Sequence, residues 1–373
     1  MVATVDWDTA RSVAARIAKD GGFETTYRAQ SLRDDMAELT PQAEKLVEEE
    51  TGLVSLAGHA RGKVVDRAEW VDANLASFDR LTRPLLAKLE RKSNEAKERD
   101  REPSKASQIL APLGNAMNAA AGKVGPKITG SELGVLLGWM SGRVIGQYDL
   151  LVIEDERPED QDWVYYVGPN MLALEERYGF PPEEFRLWVA IHECTHRAQF
   201  TAVPWLRPHF LGLVNELIDA VDPDPKAFVE TIKKLADQRR NGGPIIDKGG
   251  ISVLFASDEQ KEIMDRMTGL MSLLEGHGDI VMDRAGKDLI PSQPRFHRVF
   301  ANRRNKSTGA AKMMQRLLGM EAKMAQYAEG EKFVEAVEAA GGPELFARVW
   351  EQAEHLPTGA EIKDPSLWVQ RMT

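Results

Sequence analysis

Apolar residues recur at three- and four-residue steps along most of this chain, the pattern of helices that bury one face. It predicts helices over residues 8–20 and 31–50, and a longer one from Ala68 to Arg99. In the last, Trp70, Leu75, Phe78, Leu81, Leu85 and Leu89 lie near the helical period. The charge-dense stretch from Lys88 to Glu102, closed by Pro103, reads as its solvated end. Residues 104–121 suggest another helix and residues 122–130 a connection. A boundary placed there separates an N-terminal helical region, 1–130, from a catalytic region, 131–373, although the two can also form one continuous domain.

Glycines then recur at every fourth position, Gly130, Gly134, Gly138, Gly142 and Gly146. A helix through Ser131–Gln147 would carry them as a stripe and let a second helix approach closely. Its apolar core, Leu133 to Ile145, is too short to span a bilayer and is interrupted by Arg143.

The period changes from four towards two only briefly. Tyr148–Ile153 and Trp163–Val167 are rich in β-branched and aromatic residues and read as strands, with the acidic stretch Glu154–Asp162 as a hairpin-type loop. An extended edge strand in this region could accept a peptide by strand addition. From Pro169 the helical pattern returns, its last good example covering about Pro343–Ala353. The tail, Leu356 to Thr373, contains Pro357 and Pro365 and is expected to wrap the surface. The fold class is therefore mainly α (α+β), many helices with a small sheet.

Composition narrows the partners. With 373 residues the chain can bury a sizeable core, and its net charge of −10 argues against nucleic-acid binding. Its single cysteine rules out an internal disulfide and points to a reducing compartment. Neither a leader pattern nor an apolar run of spanning length is legible, so a cytoplasmic protein with no membrane partner is expected. Oligomeric state is not legible.

The chemistry lies in His192-Glu193-Cys194-Thr195-His196. Pro181 and Pro182 start a helix, Glu183 and Glu184 occupy its first turn, and no breaker follows before Pro204. Phe185, Trp188 and Ile191 anchor it in a core. Four positions apart on that helix, His192 and His196 share a face and can converge on one zinc ion at about 2.0–2.1 Å. Glu193, about 100° further round, is placed to act as general base on a water. Cys194 points away from the metal-binding face and reads as a buried small side chain.

Catalytic zinc ordinarily has three protein ligands. The third is sought in Leu274-Glu275-Gly276-His277-Gly278-Asp279, after a helix start near Ser257, where Ser257 and Gln260 have capping-box spacing. Glu275 and Asp279 share a helical face, so Glu275 can be the ligand while Asp279 receives the N–H of a ligand histidine. His277 competes for the third position if the helix breaks at Gly276 or Gly278. Alternatively it lines the cleft and donates to a developing oxyanion.

The downstream glutamate and aspartate resemble the glutamate-zincin pattern, with a longer gap after His196 than in its compact members. The wider string resembles an uncharacterised bacterial zincin-like hydrolase family, often labelled as associated with deazaflavin-coenzyme biosynthesis. It comprises Gly146-Gln147-Tyr148-Asp149, Val167-Gly168-Pro169-Asn170, Phe185-Arg186-Leu187-Trp188, His192 to Phe200, Val203-Pro204-Trp205-Leu206, Glu275 to Asp279 and Pro365-Ser366-Leu367-Trp368. The resemblance covers most of the chain and implies a zinc-dependent, metalloprotease-like fold; it supplies no substrate.

Other residues weigh less. Arg295, His297, Arg298, Arg303, Arg304 and Lys306 form a basic segment that could bind a substrate carboxylate, though a solvated or salt-bridged face explains it more simply. Tyr165, Tyr166 and Tyr327 suit packing better than catalysis, and His209 is expected in a turn. The expectation is a Zn2+-dependent hydrolase, a metallopeptidase of gluzincin type acting on a peptide or small amide. The alternatives are a non-catalytic, metal-stabilised interaction protein, and a hydrolase of a non-peptide amide or ester.

Overall fold

Helices dominate the computed structural model, which describes residues 5–19, 23–99, 130–150, 162–220, 258–305 and 320–373. The expected helix over 104–121, the connection over 122–129, the acidic loop over 154–161, Ser257 and Lys306 lie outside these residues, as do the side chains of Arg303, Arg304 and Tyr327. The chain divides into two compact units.

One unit is assembled from Met1–Asp35, Gly62–Gln161 and Tyr165–Tyr178. It holds α1 (Trp7–Ile17), the first turns of α2 (Tyr27–Thr51), α3 (Arg67–Arg99), α4 (residues 130–141) and α5 (Gly168–Tyr178). Ala10, Ala14, Trp70, Val71, Leu75, Leu137 and Val167 form its core. The glycine stripe is a helix crossing: a Cβ on Gly130 or Gly134 would collide with the α1 backbone, and one on Gly138 would lie 2.8 Å from Ile17 Cβ. The helix stops at residue 141, earlier than the stripe suggests, so Gly142 falls in a turn and Gly146 opens a strand. Asn170 holds that end by donating to the carbonyls of Ser141 and Val144 at 2.7 and 2.6 Å.

The three-stranded sheet has the order β1 (Arg61–Val65), β3 (Trp163–Val167), β2 (Gly146–Tyr148). β3 has the expected span but is the central strand, so it offers no free edge for a peptide. β2 meets the anticipated strand Tyr148–Ile153 at Tyr148, with 151–153 outside the described residues, and β1 was not anticipated, since Arg61-Gly62-Lys63-Val64-Val65 lacks a clear alternation.

The other unit comprises Met36–Arg61, Asp162–Val164 and Gly179–Thr373. It contains the rest of α2, then α6 (Pro182–Ala202), α7 (Leu206–Asp219), α8 (Asp258–Ala285), α9 (Gln293–Asn305), α10 (Met320–Ala347), α11 (Gly359–Lys363) and α12 (Pro365–Met372). α6 starts at the prolines and ends before Pro204, as its caps predict. Phe185 and Trp188 on α6 pack with Phe180 and with Phe296 and Phe300 of α9 at ring separations of 4.8–6.5 Å, anchoring the first half of α6.

α8 runs unbroken through Gly276 and Gly278. These glycines do not stop the helix; Gly276 lets α10 cross, because a Cβ there would strike Gly330 and one on Gly330 would strike Ser272 O. α10 itself kinks at Gly341 and Gly342, the latter at φ 79°. The tail corrects a sequence expectation. Instead of wrapping the surface, it forms two capped helices, with Thr358 and Glu361 making a reciprocal capping box. Trp368 is fully buried with Leu273, Phe333, Val337 and Val349, and donates from Nε1 to His355 O at 2.7 Å. Among the described residues, no helix is long and apolar enough to cross a membrane.

Candidate metal centre

α6 and α8 face each other through matched one-turn steps. On α6 the face carries His192 and His196; on α8 it carries Glu275 and Asp279. Glu275 Oε2 lies 3.5 Å from His196 Nε2 and 3.9 Å from His192 Nε2, while Asp279 Oδ1 lies 3.5 Å from His192 Nδ1. Contacts thus move towards the α6 N-terminus as they advance along α8, so the helices run antiparallel here. This places Glu275 against both histidines and Asp279 against His192.

The two imidazoles meet edge to face, with their Nε2 atoms 3.1 Å apart. Together with Glu275 Oε2 they form a triangle of sides 3.1, 3.5 and 3.9 Å. Tetrahedral zinc with ligands at about 2.0–2.1 Å needs neighbouring ligand atoms roughly 3.3 Å apart, so the donor set fits that ion in spacing and in chemistry. Among the described residues His192, His196 and Glu275 form the group able to hold a metal. Gly278 completes the cradle: a Cβ there would lie 3.3 Å from His196 Cε1 and 3.4 Å from His192 Cε1.

Electrostatics match this geometry. Burial, with the neighbouring His196, pushes His192 down to about 3. Burial opposes charge on His196 as well, but the hydrogen bond and charge of Glu275 outweigh it and hold that imidazole up at about 9. The metal-free pair therefore carries one proton beyond two neutral imidazoles at neutral pH, on His196 and directed at Glu275. His192 Nδ1 is buried without a hydrogen bond, and its nearest carboxylate is Asp279.

The remaining predicted residues fall around this centre. Glu193 is buried on α6 at 7 % exposure. Cys194 is buried with its Sγ 3.7 Å from Thr40 O, on a different side of the helix. His277 is not one of the three converging residues. Its ring packs against Phe346 and Trp350, its Nδ1 faces Gln199 Nε2 at 3.0 Å, and burial pushes its pKa down to about 3. In the basic segment, Arg295 donates to Gly179 O and covers Phe180, and Arg298 donates to Pro294 O. His297 pairs with Asp283 at 2.6 Å. His209 lies within α7, not in a turn, and Tyr166 is fully buried.

Two α6 residues escaped sequence reasoning. Arg197, next to His196 and 1 % exposed, donates to Glu44, Asp162 and Gly58 O at 2.5–2.7 Å, fastening α6 to α2 and to the start of β3. Gln199 bridges His196 to α8. Its signal was available, since it lies three residues after His196 and hence on nearly the same face.

The model of a zincin-like metallopeptidase family matches residues 5–369. A crystal structure described as "a putative hydrolase with a novel fold from Chloroflexus aurantiacus" is similar over 99 % of this chain and 98 % of that one, at 31 % identity and a TM-score of 0.69. No curated protein matches. With the family model spanning nearly its whole length and a His–His–Glu group at its centre, the chain belongs to the zincin-like metallopeptidases.

Proposed function

We propose that this protein is a zinc-dependent hydrolase of gluzincin type that cleaves a peptide or other amide bond. The observation that carries the reading is the triangle of two imidazole nitrogens and one carboxylate oxygen presented by two facing helices. Family membership supports the same class.

In this reading His192, His196 and Glu275 hold the ion, and Asp279 orients His192 through its Nδ1–H. A zinc ion bound there would polarise the scissile carbonyl and bring the pKa of a water down towards about 7. Glu193, one residue from the first histidine, takes the proton of the attacking water and returns it to the leaving amine. Its burial shields that proton from exchange with bulk solvent. His277, enclosed by Phe346, Trp350 and Gln199, belongs with the supporting residues rather than at the reacting carbonyl.

A three-residue donor set favours an enzyme over a metal-stabilised interaction protein, because structural zinc takes four protein ligands. Among the described residues no fourth His, Cys, Asp or Glu joins the group. The test is Glu193→Gln, assayed with zinc-loaded protein on peptide, amide and ester panels. The variant should bind one zinc per chain and lose hydrolysis. Turnover undiminished in the variant would remove Glu193 as the base; a zinc-loaded native protein inert on all three panels would favour the non-catalytic reading.

A further inference from the structure

Gln199 is fully buried between α6 and α8, and its amide is used in three directions. Oε1 lies 3.1 Å from His196 Nδ1. Nε2 lies 3.0 Å from Leu274 O and 3.0 Å from His277 Nδ1. A backbone carbonyl can only accept, so the end of the amide facing Leu274 must be the NH2 group. The other end is then the oxygen, and an oxygen can only accept from His196. His196 Nδ1 must therefore carry a proton, so Nε2, once it gives up the proton it directs at Glu275 in the metal-free protein, is the atom with a lone pair to offer. That is the atom 3.5 Å from Glu275 Oε2. The second amide hydrogen points at His277 Nδ1, which accepts it, so His277 is locked with its own hydrogen on Nε2.

We infer that Gln199 is a positioning residue that sets the tautomer of His196, with its own orientation dictated by the Leu274 carbonyl and by His277. This rests on the metal-centre reading above. It also assigns His277 a purpose: the imidazole is the second acceptor that keeps the amide from turning over. Leu274 directly precedes Glu275, so one side chain ties the ligand histidine of α6 to the backbone beside the ligand acid of α8. Removing an equivalent outer contact elsewhere weakens metal binding roughly 10–100-fold.

The experiment compares the native protein with Gln199→Leu and Gln199→Glu. Zinc affinity is measured by competition with a chromophoric chelator, and the His196 Nδ1–H resonance is followed by long-range 1H–15N spectroscopy. Leucine keeps the volume and loses every polar contact. Its zinc affinity should fall about 10–100-fold, and the Nδ1–H should exchange rapidly with water. Glutamate keeps an acceptor for His196 but cannot donate to Leu274 O or His277, so it should retain a protected Nδ1–H while zinc affinity falls. Native affinity and a protected proton in Gln199→Leu would overturn the inference, as would loss of the protected Nδ1–H in Gln199→Glu. If the leucine variant does not fold, the glutamate arm decides alone. A native protein that fails to bind zinc refutes the metal centre itself, an outcome distinct from either.

Discussion

Arg197 Nη2 donates to Asp162 Oδ2 across 2.6 Å, joining the residue after His196 to one of positive φ, 61°, at the start of β3. The same guanidinium donates to Glu44, which also accepts from the Ala60 N–H at 2.8 Å. Burial disfavours the charge on Arg197, yet Asp162 and Glu44 hold its pKa above the ordinary value. Removing the cation takes the guanidinium from two enclosed carboxylates, leaving Glu44 with the Ala60 N–H and the exposed His59. Arg197→Met should therefore lower unfolding free energy by about 3–5 kcal/mol, read from urea midpoints. Arg197→Lys should recover little of this, because an ammonium cannot reproduce the forked contacts. A methionine variant within experimental error of native stability would refute the network's role.

The crossing of α8 and α10 at Gly276 and Gly330 leaves no room for a methyl group, since a Cβ at either position meets backbone, not a movable side chain. Gly330→Ala should cost about 1–3 kcal/mol or more, although alanine is the better helix former. An increase in thermal midpoint would show that the helices can separate without loss.

Much of the fold was legible where a local signal sufficed. The paired prolines and acidic first turn placed α6, and the spacing of Glu275 and Asp279 put both on one face. The misreadings came from signals with two physical causes. Glycines at 276 and 278 left a helix break open as the condition that would favour His277, but one serves a close crossing and the other makes room for two imidazoles. Pro357 and Pro365 looked like an irregular tail, but Pro365 occupies the first turn of a helix that buries Trp368. Arg197 was passed over because its partners, Glu44 and Asp162, lie far away in sequence. Gln199 had a local signal in its three-residue spacing, yet its role depends on Leu274 O and His277, which only the fold brings near.

Zinc loading should displace a proton. His196 stands above its ordinary pKa of 6.5 in the metal-free protein, and His192 stands below it. At pH 7 the pair holds one proton more than two neutral imidazoles, on His196, and a metal ligand must give it up. As pH falls below about 9 each unit should weaken zinc binding about tenfold, the dependence vanishing above that value. Chelator competition across this range, with calorimetry in buffers of different ionisation enthalpy, should report about one proton released. A pH-independent affinity would contradict the assignment of the proton to His196.

Gly278 gives the sharpest test of how tightly the centre is built. Its missing Cβ would stand 3.3 Å from His196 Cε1, 3.4 Å from His192 Cε1 and 3.6 Å from His192 Nδ1. Rings pressed by such a methyl group must yield by a few tenths of an ångström, and metal sites tolerate displacements of only about 0.5 Å. Gly278→Ala should therefore fold, because alanine suits the interior of α8, yet bind zinc roughly threefold to tenfold more weakly. Gly278→Val, with bulk in two directions, should lose zinc on dialysis while its circular dichroism stays helical. Metal content equal to native in the valine variant would mean that the rings do not hold the ion where the triangle of His192, His196 and Glu275 predicts.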